Sequence, residues 1–184
     1  MSGWIEYAKL AVSALTPLVG GIIAWQLARF GTKLDKQRSL NQELTKKRIA
    51  LYDEIAPRLN IIYCFFSCVG DWNNSSPATI LDEKRAIDRK FHVFQTLLSK
   101  EAFSKYGTFM KEYFETFTEV GRPASLRLDV RFVRNQIGDK FKEEWTEYLS
   151  GDLGDIRIQV DAYNELIREL GRGITSVDWA TGAG

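Results

Sequence analysis

Apolar residues along this chain form one uninterrupted block near the start and periodic stripes after it. From Leu10 to Ala28 no residue is charged, with Lys9 before the block and Arg29 after it. As a helix, these roughly 19 residues would extend about 28 Å, close to the ~30 Å of a bilayer's hydrocarbon core. From about Leu34 to Val69 the period becomes helical: Leu40, Leu44, Leu51, Ile55, Leu59, Ile62 and Phe66 recur mostly at steps of three, four or seven. Lys46, Lys47, Glu54 and Arg58 fill the positions between, and a bend is expected before Pro57. Gly70 to Ser76 reads as a turn. Ser76-Pro77 starts the next helix, with serine as cap and proline at the first position; Ile80, Ile87, Phe91, Phe94 and Leu98 make its apolar stripe.

Ser99 caps a further helix with Glu101 in its first turn. Its core face is Phe103, Tyr106, Met110, Tyr113, Phe114 and Phe117, and Gly121-Arg122-Pro123 ends it. Leu126, Leu128, Val130 and Phe132 then alternate with charged residues, a strand pattern, but no second strand is evident to pair with it. A helical or irregular lead-in to a helix ending near Leu149 is expected instead, with Ile137, Phe141, Trp145 and Tyr148 on its apolar face. Asp155 to Leu170 is the final helix, and the small, glycine-rich tail after Gly171 is expected to fray. The predicted fold is all-α: one N-terminal transmembrane helix (residues 1–31), a cytoplasmic helical bundle of about five helices (32–171) and a flexible tail (172–184).

The apolar block is not purely greasy; it holds Ser13, Thr16, Pro17, Gly20, Gly21 and Gln26. A signal peptide would carry its basic residues before the apolar core. Here they follow it, at Arg29, Lys33, Lys36 and Arg38 and again at Lys46, Lys47 and Arg48. By the positive-inside rule the C-terminal side then faces the cytoplasm and the N-terminus points out. An amphipathic helix lying in the interface and a buried core helix are the other readings of this block. Trp4, Tyr7 and Trp25 stand near its ends, where interfacial aromatics are expected, and the basic run beside it suits anionic lipids. Gly20, Ala24 and Ala28 recur every four residues, and Ser13 and Thr16 continue the small, polar stripe. Such a stripe lets helices approach closely in lipid. One span cannot enclose a pore, so a pore would need a homo-oligomer.

Composition narrows the chemistry. The 184 residues carry a net charge of +1, which gives no global argument for nucleic acid, and 12% aromatics are enough to build a core. Cys64 and Cys68 lie four apart on one helical face and read as reduced, buried thiols. The single histidine, His92, excludes multi-histidine metal sites, and no phosphate-binding glycine loop is present. No metal and no cofactor are therefore expected.

One pair stands out. Arg85 and His92 are seven apart, two helical turns, in RAIDRKFH, with Asp88 between them and able to pair with either. An arginine followed four to six intervening residues later by a histidine resembles the signature of HEPN domains, small helical bundles that are often metal-independent ribonucleases or their degenerate relatives. The resemblance implies a histidine that relays a proton and an arginine that steadies a phosphate. Ala86 follows the arginine where active members carry a polar residue, which points toward a degenerate relative rather than an enzyme.

The span, the basic neck and the Arg85/His92 domain together resemble a group of small bacterial single-span membrane proteins with HEPN-like domains. One type is the accessory membrane-pore protein of type VI-B CRISPR systems. The resemblance implies a ring of identical subunits that depolarises the inner membrane in antiviral defence, with a CRISPR effector or an RNA-linked signal as partner. Thr16, Gly20 and Ala24, with Ser13, would line or close-pack the pore, and Arg85 and His92 would hold subunits together or sense a signal. A membrane-tethered helical interaction protein and a membrane-tethered HEPN ribonuclease are the alternatives.

Overall fold

The computed structural model describes the backbone of residues 3–116 and 124–175, and the side chains of residue 21 and of residues 23–174 within those ranges. The fold is mainly helical, in the order α1 (Gly3–Ser67), α2 (Pro77–Val93), α3 (Lys100–Tyr113), β1 (Phe114–Glu115), β2 (Ser125–Leu126), α4 (Val130–Ile137) and α5 (Ile156–Thr175). Two compact units divide the chain, Met1–Leu44 and Thr45–Gly184, and α1 contributes to both. Among the described residues no helix is long and apolar enough to cross a membrane. The predicted span at 10–28 lies for the most part outside the residues whose side chains are described.

In the first unit, the described side chains of α1 are almost all in solvent. Trp25, Leu27 and Phe30 are 58, 66 and 65% exposed, and Ile23 and Leu34 are exposed as well. In the second unit, α1 buries Leu51, Ile55, Leu59, Ile62 and Phe66 at steps of three, four and seven, as the sequence predicts, whereas Leu40 and Leu44, expected on the same stripe, are exposed in the first unit. Each such side chain contributes roughly 1.5–3 kcal/mol on burial. The helix continues through the exposed Pro57 and ends at Ser67.

Its end is a Schellman-type turn. The Val69 amide donates to the Cys64 carbonyl at 3.1 Å, and Cys68 takes the left-handed position with φ +54°, a place usually held by glycine. Both cysteines are free and half-buried.

The two serine caps form as the sequence predicts. Ser76 Oγ accepts from the Thr79 amide at 3.1 Å, and Ser99 Oγ from the Ala102 amide at 2.8 Å. Helix lengths differ from expectation. α2 ends at Val93, and the stretch toward Leu98 becomes a turn and a 3-10 segment at Gln95–Leu97. α3 ends at Tyr113 because Phe114 turns extended (φ −131°, ψ 143°) and joins a ladder. The strand pattern after 125 does have a partner: Phe114 pairs with Leu126 and Glu115 with Ser125, antiparallel. Leu126 also bridges Leu149, and its carbonyl accepts from the amides of Leu128 and Ser150 at 2.8 Å.

That pairing occupies backbone around residue 149 which a helix would need. The expected continuous helix to Leu149 is accordingly broken into α4, capped by Asp129, and 3-10 segments at Gly138–Lys140 and Glu143–Tyr148. Gly138, at φ +63°, ends α4. α5 runs to Thr175, so the first residues expected to fray are helical; 176–184 lie outside the described residues. α5 packs on α3, buries Ala162, Leu166 and Leu170, and stacks Tyr163 on Tyr63 of α1 with ring centroids 4.4 Å apart.

Candidate functional site

α2 carries the charged residues that the sequence singles out. It is tied to α1 by ion pairs, Arg58 to Glu83 at 2.6 Å and Lys90 to Glu54. Ile80, Ile87 and Phe91 point its other side into the core. This leaves Arg85 and His92 exposed. The Arg85 guanidinium donates to Asp82 Oδ1 at 2.8 Å. The His92 ring stands edge-on to Phe103 of α3, with centroids 5.7 Å apart. No hydrogen bond joins Arg85 to His92 among the described residues; the two stand two turns apart on α2, both exposed. Beside His92, Phe103 also walls an open depression of about 580 Å³ with Gln95, Thr96 and Lys100.

Asp88 takes neither Arg85 nor His92, the partners expected for it. Its carboxylate accepts from the Lys84 ammonium at 2.7 Å and, on its other oxygen, from the Tyr106 hydroxyl of α3. Burial and then the Asp88 carboxylate push the Tyr106 hydroxyl far above the usual tyrosine range, so it stays a donor at any physiological pH. Lys84 is only 8% exposed and lies above the Phe114 ring at 5.6 Å. This buried Lys84–Asp88–Tyr106 group was not singled out by sequence. A signal was available: Lys84 falls inside the Ile80, Ile87, Phe91 stripe, where a charge must find a partner.

A second polar seam joins α3 to α5. Gln159 is 2% exposed; its side-chain amide donates to the Glu112 carbonyl at 3.0 Å, and its own carbonyl accepts from the Tyr113 hydroxyl at 2.9 Å. Gly154 lies against it, since a Cβ there would come within 2.5 Å of Gln159 Nε2. Both groups hold elements together.

Of the residues predicted for a pore, Ala24 is exposed on α1, while the side chains of Ser13, Thr16 and Gly20 lie outside the described residues. One turn beyond Ala24, the Arg29 guanidinium lies over the Trp25 ring, 4.4 Å from its centroid. No cluster of three metal-ligating side chains occurs among the described residues. No protein family, curated protein or solved structure matches this chain.

Proposed function

We propose that this chain is a subunit of an oligomeric membrane pore, an effector of bacterial antiviral defence that depolarises the inner membrane. The observation that carries the reading is the bare apolar surface of α1 in the first unit. Trp25 and Leu27, at the end of a charge-free stretch of bilayer length, and Phe30 and Leu34, just after it, are exposed, and the Arg29 guanidinium lies over the Trp25 ring. A soluble chain would have to bear that apolar surface against water, whereas a lipid interface receives it, with tryptophan and arginine at headgroup level. The domain beginning at Thr45 then stands on the cytoplasmic side. On its surface Arg85, engaged by Asp82, and His92, against Phe103, serve subunit contacts or signal sensing rather than RNA cleavage.

The test is the particle mass of the full chain in mild detergent, followed by ion flux in liposomes. A discrete assembly well above a dimer that dissipates a potassium gradient supports the pore. A monomer or dimer leaves too few helices to surround water and removes it, favouring a tethered interaction protein.

A further inference from the structure

We propose that Trp25, Gln26, Arg29, Phe30 and Lys33 form a binding site for the phosphodiester headgroup of an anionic phospholipid; the proposal rests on the membrane reading above. These five residues line one depression of about 410 Å³ on α1, entirely within the first unit. Its two cations are Arg29 and Lys33, one helical turn apart. Side chains at that spacing have Cβ atoms about 5–6 Å apart, so one phosphate group can be reached by both.

Neither cation is paired with a carboxylate among the described residues, although acids hold the guanidinium groups of Arg58, Arg85 and Arg134 in the second unit. Arg29 is instead poised by an uncharged partner: its guanidinium lies 4.4 Å from the Trp25 ring centroid, which leaves its N–H fork available. A guanidinium fork grips two phosphate oxygens, and the lysine adds a point charge. The rings give the site its other half. Phe30 is 65% exposed and Trp25 58%, apolar surface beside a cation pair, which suits a ligand with acyl chains below its phosphate and does not suit a free anion. Charge complementarity points the same way: residues 29–38 hold Arg29, Lys33, Lys36 and Arg38 against the single acid Asp35.

The experiment is native mass spectrometry of the full chain extracted from membranes. The mild detergent would contain equal amounts of dioleoyl phosphatidylglycerol and dioleoyl phosphatidylcholine. The wild type should retain phosphatidylglycerol preferentially. The double variant Arg29→Gln/Lys33→Gln should lower that preference about 25-fold, at about fivefold per charge removed. Trp25→Ala, with the charges kept, should lower it about threefold by unseating the guanidinium. Lys111→Gln/Lys140→Gln removes the same charge from exposed positions elsewhere and should leave the preference intact.

A protein that stays in the membrane fraction but retains both lipids equally, or whose double variant keeps the preference, overturns the headgroup site and leaves the membrane reading standing. A protein recovered without detergent in the soluble fraction, carrying no lipid, overturns both. Displacement of the retained lipid by inorganic phosphate at equal concentration would show a plain anion site and also overturn the proposal.

Discussion

Replacing Asp88 by asparagine should destabilise the helical domain by about 2–3 kcal/mol. The carboxylate serves two donors at once, the Lys84 ammonium at 2.7 Å and the Tyr106 hydroxyl. Asparagine can still accept from Tyr106, but it removes the negative charge and turns its own N–H groups toward a buried ammonium. Stranding one partner of a fully buried ion pair costs about 3–5 kcal/mol. The Asp88 side chain is 31% exposed, so water screens part of the loss, and the lower figure follows. Lys84→Met should cost only about 1 kcal/mol, since the apolar stem keeps its place and Asp88 retains Tyr106 and water. The double variant Lys84→Met/Asp88→Asn should be less damaged than Asp88→Asn alone, because no unpaired charge remains inside. Urea unfolding of the full chain in mild detergent, followed by tryptophan fluorescence and helical circular dichroism, measures all three. At roughly 3 °C per kcal/mol for a domain of this size, the Asp88→Asn thermal midpoint should fall about 6–9 °C. A fall under about 2 °C, or a double variant worse than the sum of the singles, would refute the buried-pair account.

Cys68→Gly should stabilise the domain by about 0.5–1 kcal/mol, relief of the left-handed backbone outweighing the added freedom of the unfolded chain; a lowered thermal midpoint would refute it. Gly154→Ala should cost about 1–2 kcal/mol by displacing the Gln159 amide from the Glu112 carbonyl, whereas Gly107→Ala, in α3 with open space around it, should gain up to about 1 kcal/mol. Paired denaturation curves decide between them, and equal shifts would contradict the close approach at Gly154. Arg85→Ala and His92→Ala should each change stability by no more than about 0.5 kcal/mol, both being exposed, and labelled RNA should stay intact with the wild type and with either variant. RNA cleavage lost on either substitution would restore the nuclease reading.

What could be read from the sequence follows the range of the forces involved. Ser76 and Ser99 were legible as caps because a cap is settled within four residues. The α1 core stripe was legible because only its period mattered. β1 was hidden because Phe114 also fits the helical stripe of Phe103, Tyr106 and Met110; what ends α3 is a partner strand eleven residues further on. The same ladder, through Leu126 and Leu149, undid the expected helix to Leu149, although Gly138 within it was a visible warning. At the candidate site, helical spacing placed Arg85 and His92 on one exposed side of α2. The same spacing offered Asp82 to Arg85 at i−3, but it could not reveal that His92 would meet Phe103 or that Asp88 would turn inward, since Phe103 and Tyr106 arrive from another helix.

The stacking of Tyr63 on Tyr163 also sets a clock. The Tyr163 hydroxyl donates to Asn60, 103 residues earlier, and α5 is synthesised after every element on which it packs. At about 5–20 residues per second, the Asn60 region of α1 waits roughly 5–20 s on the ribosome before α5 can cover it, and α3 roughly half as long. Whatever the first unit engages, it meets while the domain behind it is still open. Closure thus comes last, and a fault in α5 leaves an unfinished apolar surface for chaperones and proteases to find.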